Sequence, residues 1–188
     1  MVRRLALLVP VLVVSVLVPP PARATTRTVV VDNDAFTSSS VTVVLGDTVK
    51  WSFKETHSTT SDQGFWDSGH KSSGATYSRV FADAGTYAYH CTIHPMMHGK
   101  VLAPVRSSGS ASAGYTVRWS TRTGTNSVRY DVQYKIVGTS TWTHWRTGTA
   151  SRSAGFNPAG AHSYYVHSRT RSGGHTSSWS PSITLKVT

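Results

Sequence analysis

Apolar and polar residues alternate along short stretches of this chain, with a spacing typical of β-strands. In segment 48–53, Val49, Trp51 and Phe53 are separated by polar residues, so these three side chains would share the buried face of a sheet. No long stretch has the 3.6-residue apolar period of a helix. Similar strand-like runs occupy 27–31, 41–45, 76–81, 86–90 and 100–103, and the polar segment 55–74 is predicted to be a loop. The pattern predicts an all-β fold of the sandwich or barrel class.

A second series of strand-like runs fills the C-terminal part of the chain. Segment 106–112 is rich in Ser, Gly and Ala and is predicted to be a flexible linker. We therefore predict one domain at 25–105 and another at 113–188, each large enough to fold alone. The runs of the second domain are 115–120, 127–136, 141–146, 152–156, 162–171 and 183–187. The aromatic residues expected in its core are Trp119, Tyr134, Trp142, Trp145, Tyr164 and Trp179.

Residues 1–24 have the features of a signal peptide. Arg3 and Arg4 precede the apolar stretch Leu5–Val18, and the stretch ends near the small-residue cleavage site at 22–24. As a helix these fourteen apolar positions would reach only about 21 Å, short of the roughly 30 Å hydrocarbon core of a bilayer. We expect an exported mature protein, secreted or held in the cell envelope, with no transmembrane anchor after cleavage.

The basic residues are unevenly distributed between the two units. The formal net charge is +11; residues 25–105 contribute −1, whereas residues 106–188 contribute +9 with Asp131 as their single acid. This asymmetry predicts different surfaces for the two units, and the second could dock on an anionic surface of the cell envelope or an acidic redox partner. A simple solvated face is the alternative. Nucleic acid is not an expected partner, because the chain is exported and has no nucleic-acid-binding motif.

The stretch 91–101 contains the residues with the most specific chemistry. Cys91, His94 and Met97 have C-x2-H-x2-M spacing directly after a strand-like run, and His57 lies upstream. Because Cys91 is the only cysteine, it has no partner for an intramolecular disulfide, and a lone thiol in an oxidising compartment is best explained by a bound metal. Two imidazoles, a thiolate and a distant thioether suit copper better than zinc or iron.

Each of these residues also has a simpler interpretation. Cys91 alone could be a small buried apolar residue, and His94 alone could be an ordinary surface imidazole. Met96 is a rival to Met97 as the axial ligand, and either could belong to the core. Histidines expected to lie outside the site are His70, His90 and His98.

Three segments carry a resemblance to a known family: YAYHCTIHPMMHGKV at 87–101, GDTVKW at 46–51 and HSTTS at 57–61. Together, over about residues 27–104, they resemble the plastocyanin/amicyanin-like cupredoxin family. The resemblance implies a Greek-key β-sandwich, one type 1 blue copper and single-electron transfer. It also implies the copper ligands, which are His57, Cys91, His94 and Met97. Ser58 stands where the family usually has Asn, and His98 replaces an arginine.

The second unit, over about 113–188, resembles a fibronectin type III module. The resemblance rests on YDVQYK at 130–135, the Trp142–Trp145 pair and SWS at 178–180. Trp119 matches the tryptophan of the second strand and Tyr164 the tyrosine-corner position. This implies a second β-sandwich after the cupredoxin.

The sequence therefore predicts an electron carrier rather than an enzyme. The partner is an unknown redox protein. The alternative is extracytoplasmic copper binding, storage or delivery without a dedicated redox partner. A copper oxidase or nitrite reductase would need further ligands on other domains, and the chain has no His-x-His set.

Overall fold

The computed structural model describes residues 24–122 and 127–188, and within them every regular element is a β-strand. The predicted all-β class is confirmed. The predicted signal peptide, 1–24, lies almost wholly outside the described residues. In the described part of the chain, no helix has the length and apolar character needed to cross a bilayer.

Eight strands form the first unit as two four-stranded sheets. One sheet has the order β2-β1-β4-β6, with β1 and β4 parallel; the other has the order β3-β8-β7-β5, with β3 and β8 parallel. The strands are β1 (Thr26–Asp32), β2 (Ala35–Thr37), β3 (Ser40–Thr42), β4 (Thr48–Phe53), β5 (Thr60–Ser61), β6 (Thr76–Val80), β7 (Gly85–His90) and β8 (His98–Ala103).

Aromatic side chains fill the space between these two sheets. Trp51 on β4 and Tyr89 on β7 are both fully buried, and their ring centroids lie 5.5 Å apart in an edge-to-face contact. Phe36 packs on the other side of Tyr89 with a centroid distance of 4.8 Å. Because β4 and β7 each alternate between buried and partly exposed positions, the predicted period of two is the one that builds this core.

The second unit also consists of two sheets. One has the order β13-β10-β9; the other has the order β12-β11-β14-β15, with β16 also paired to β14. The strands are β9 (Arg106–Ser110), β10 (Gly114–Arg118), β11 (Arg129–Ile136), β12 (Thr143–Thr149), β13 (Ser153–Phe156), β14 (Ser163–Ser172), β15 (His175–Thr176) and β16 (Ile183–Lys186). Trp119 is buried in its core, and the Tyr164 hydroxyl lies 2.7 Å from the carbonyl oxygen of Ala159. That contact has the form of a tyrosine corner, while fibronectin type III identity stays a prediction.

Two segments differ from their sequence-based predictions. Segment 106–112 is not a flexible linker throughout, because Arg106–Ser110 forms β9 and pairs antiparallel with β10. Small polar residues can occupy an exposed strand when a neighbouring strand supplies the backbone hydrogen bonds, which composition does not reveal. Segment 55–74 likewise contains the short strand β5, which pairs with β7.

The two units are joined by contacts around the start of β7. The side chain of Asp83 is only 4% exposed and accepts hydrogen bonds from the Ser120 hydroxyl at 2.7 Å and the Tyr130 hydroxyl at 2.9 Å. Its other carboxylate oxygen forms an ion pair with Arg122. Further along, Thr86 forms a β-bridge with Ser178 of the second unit. The junction therefore combines a buried charge with backbone pairing.

Replacing Asp83 by Asn tests the role of the buried charge at this junction. Asparagine can still accept hydrogen bonds, but the Arg122 guanidinium loses its counter-charge beside a desolvated site. We expect the free energy of unfolding to fall by about 1–3 kcal/mol, measured by urea unfolding. Asp32→Asn is the matched control, because Asp32 is only partly buried and its carboxylate accepts the N–H of the neighbouring Asn33. Equal stability losses in the two variants would contradict this role for Asp83.

Candidate metal centre

The position of Cys91 follows from the alternation along β7. Tyr87 and Tyr89 point into the sandwich, and Cys91, one step beyond the end of the strand, continues the same face with 1% exposure. The thiol is free of any disulfide. Its backbone N–H donates to the carbonyl of Met97 at 3.1 Å, so the chain folds back immediately after the strand.

His57 reaches the same place from the loop after β4. A β-bridge to Lys71 fixes its backbone, with His57 N–H bonded to the Lys71 carbonyl at 3.1 Å and the reciprocal bond at 2.7 Å. The imidazole is 1% exposed. The next residue, Ser58, donates its N–H to the Cys91 sulfur at 3.3 Å. This hydrogen bond to the thiol connects two loops that are distant in sequence.

The hydroxyl of Ser58 forms a second tie between these loops. Its oxygen accepts the backbone N–H of Thr92 at 2.9 Å and lies 3.0 Å from the Thr92 hydroxyl. Ser58 stands where the cupredoxin family usually has Asn, and its hydroxyl forms a hydrogen bond between the two loops.

A tight turn returns the chain from Cys91 to β8. The Met97 N–H donates to the His94 carbonyl at 3.0 Å, closing the turn around Pro95. Met97 is 2% exposed, whereas Met96 is 92% exposed. Burial therefore favours Met97 over Met96 as the thioether close to the site, although ligation by Met97 stays a prediction.

Three donor atoms converge where the loops meet. The Nδ1 atoms of His57 and His94 are 3.0 Å apart, and the Cys91 sulfur lies 3.8 Å from the first and 3.9 Å from the second. Metal–ligand bonds of about 2.0–2.3 Å at roughly 120° separate donor atoms by about 3.5–3.8 Å. The two sulfur–nitrogen distances are close to this separation, whereas the two imidazole nitrogens lie nearer to each other. One sulfur and two imidazole nitrogens are the donor composition of a trigonal His2Cys site.

Two carboxylates near the imidazoles were not identified from the sequence. Glu55 lies 3.6 Å from the otherwise unpartnered Nε2 of His57, and Asp34 lies 3.3 Å from Nδ1 of His94. Because Glu55 is only two residues from His57, the sequence alone indicated that these two side chains lie close together. Asp34 comes from the turn between β1 and β2, and nothing in its local sequence indicates this approach. Asp34, Glu55 and His57 form a second, mostly exposed group of possible ligands.

The histidines expected outside the donor triangle have other contacts. His90 Nδ1 lies 2.6 Å from the Asp62 carboxylate, and His70 Nε2 lies 3.2 Å from the Thr92 hydroxyl. His98 is exposed at the start of β8. Among the residues that the structure describes, the sulfur-containing donor group comprises His57, Cys91 and His94.

The facing sheets and the His-Cys-His group at one end of them give the first unit a cupredoxin-like fold. No protein-family model matches the chain. A 26-residue segment is 65% identical to amicyanin of Paracoccus denitrificans, covering 14% of this chain and only a fifth (20%) of that relative's length.

Among solved structures, an oxidised amicyanin variant is 31% identical over 40% of this chain and 79% of its own, with a TM-score of 0.39. A reduced variant is 30% identical over 42% of this chain and 81% of its own, with a TM-score of 0.40. This chain is therefore similar to amicyanin over about 40% of its length.

Replacing Ser58 by Ala tests the tie between the two loops. The variant keeps the backbone donor to the Cys91 sulfur but leaves the Thr92 N–H without its acceptor. We expect the free energy of unfolding to fall by about 1 kcal/mol and the Thr92 amide to exchange about fivefold faster, measured by hydrogen exchange. Ser110→Ala removes an exposed hydroxyl far from the site and is the control. An unchanged exchange rate at Thr92 would show that the Ser58 hydroxyl does not hold the loop.

Proposed function

We propose that the first unit binds one copper ion through His57, Cys91, His94 and Met97 and carries single electrons between partner proteins. The observation that carries the proposal is the convergence of one thiol sulfur and two imidazole Nδ1 atoms within 3.9 Å of one another. Thiolate favours Cu(I), imidazole serves both oxidation states, and a weak axial thioether tunes the potential. Bound copper would supply the one-electron couple. Structures of reduced and Cu(I) forms of amicyanin, the similar protein, are consistent with this proposal.

The chain's own residues hold these donors in fixed positions. His57, Cys91 and Met97 are all buried, which excludes water from three sides of the site. The Ser58 N–H points at the sulfur and would stabilise its thiolate form. Because the backbone of His57 is bonded to Lys71 and that of Cys91 to Met97, these donors need move little when the charge at the site changes.

His94 provides the connection to the surface. It is about one-third exposed (36%), and it is flanked by Ile93 at 38% and Met96 at 92% exposure. An electron could leave through the imidazole edge, and the apolar side chains around it suit contact with a partner protein. The junction with the second unit is at the opposite end of β7, roughly 20 Å away at about 3.3 Å per residue, so it leaves this edge open.

The proposal includes an extracytoplasmic location and no catalytic role. A lone thiol that is buried and held against two imidazoles is suited to an oxidising compartment. The alternative, copper storage or delivery, uses the same four side chains but needs no redox partner. The two functions differ in whether the bound metal exchanges electrons or is itself exchanged.

Spectroscopy of the copper-loaded protein tests the proposed centre. The oxidised protein should bind one copper and show an intense visible sulfur-to-copper band, which Cys91→Ser should abolish because the sulfur is removed. Reversible one-electron cycling by voltammetry should accompany the band. A colourless oxidised protein with one bound copper would contradict the centre, and a coloured protein whose copper exchanges readily but does not cycle would favour storage.

The paired methionines provide an internal control for the axial ligand. Met97→Ala should weaken Cu(I) binding by about tenfold or more and shift the reduction potential, because it removes the buried thioether. Met96→Ala should leave both quantities unchanged, since that side chain is in solvent. Competition with a Cu(I) chelator measures the affinity. Equal effects of the two substitutions would remove Met97 from the ligand set.

A further inference from the structure

Two arginines face each other across the first sheet of the second unit. Arg106 on β9 is directly opposite Arg118 on β10, and both are exposed. Directly opposed residues on antiparallel strands put their Cβ atoms about 4.5–5.5 Å apart on one face, where like charges repel. The neighbouring pair on the same face is Ser108 and Thr116. The sheet thus presents two guanidinium groups beside two hydroxyl groups.

Nothing acidic offsets this repulsion. The chain has only eight Asp and Glu residues, all of them in the described part, and no ion pair found there involves either arginine. The acids that pair with arginines of the second unit pair with other arginines. Asp83 pairs with Arg122, and Asp131 pairs with Arg169 and Arg171. The Arg118 guanidinium lies 3.5 Å from the Ser120 carbonyl oxygen. Two like charges therefore remain side by side without a counter-ion from the protein.

The pair lines a concave space at the seam between the units. The cavity measures about 450 Å³ and is bordered by both arginines, by the Ser108 and Thr116 pair and by Thr121. Leu45 of the first unit completes the wall. Thr121 is fixed at the seam, since its N–H donates to the Ala82 carbonyl at 2.9 Å. The space is large enough for a small ligand, and its charged and hydroxyl groups all come from β9, β10 or the seam.

We propose that this cavity binds a phosphate group between Arg106 and Arg118. Guanidinium groups bind phosphate oxygens through paired N–H donors, and a shared anion would turn the repulsion between the arginines into attraction. Ser108 and Thr116 supply hydroxyl donors for the remaining oxygens. The same chemistry fits free phosphate and a phosphodiester of an anionic polymer. The site lies outside the metal centre and does not depend on copper.

Titration of the full chain with inorganic phosphate tests the site. Calorimetry at fixed ionic strength and pH 7 should give saturable binding of one phosphate per chain. The double variant Arg106→Gln/Arg118→Gln should bind at least about tenfold more weakly, because each charge-assisted contact is lost. Lys54→Gln/Lys186→Gln removes two charges at exposed positions elsewhere and should bind as the unmodified chain does. Arg118→Lys keeps the charge without the planar fork and should bind with intermediate affinity.

A second arm distinguishes the two sources of phosphate. The full chain is also titrated with a glycerol-phosphate polymer. If the polymer binds at a lower total phosphate concentration than inorganic phosphate does, the site is assigned to a polymer. If the two bind at equal phosphate concentrations, the site is assigned to the free ion. Absence of saturable binding to either would overturn the proposal, as would equal weakening in the two double variants. Circular dichroism of each variant confirms that its fold is retained before its affinity is compared.

Discussion

The alternation of side chains along β7 is the constraint on which the site and its surroundings depend. Because β7 pairs with β8 on one side and with β5 on the other, its backbone cannot rotate to expose another face. Tyr87, Tyr89 and Cys91 are then all directed into the sandwich. A shift of one residue would move the thiol to the surface and put His90 inside. The aromatic core and the sulfur donor are therefore set by the same register.

The register of β7 and β8 also limits what can stand opposite the aromatic residues. Gly99 on β8 is opposite Tyr89, and a Cβ at that position would lie 2.3 Å from the Tyr89 ring. The absence of a side chain at residue 99 lets the ring pack where the ligand loop returns to the sheet. Burial of Tyr89 raises the pKa of its hydroxyl to about 12, because the charged phenolate would be desolvated between the sheets.

The sequence predicted the strands more successfully than the loops and the junction. The predicted bounds of β4 coincide with the observed strand Thr48–Phe53. The apolar and polar residues of this segment alternate strictly, and a turn before it and a loop after it fix where the strand begins and ends. Spacing also singled out Cys91 and His94, which share one tight turn. By contrast, Asp34 and the contacts of Asp83 depend on how distant segments pack. No periodicity encodes such contacts, and β9 was missed because its stability comes from pairing with β10 rather than from its own residues.

The arginines of the second unit differ in whether a buried acid pairs with them. The scarce acids of the second unit and of the junction are buried against arginines: the side chain of Asp131 is 1% exposed, and contacts with Arg171, the Gly148 N–H and Arg169 keep its pKa below the usual value although burial alone would raise it. Arginines bound in this way stabilise the fold and are not available to a ligand. The basic residues that lack such a partner are then the ones whose charge is directed at solvent. This separation explains how a unit with a net charge of +9 from residue 106 onward can fold as a module and still expose positive charge, the property on which the proposed phosphate site depends.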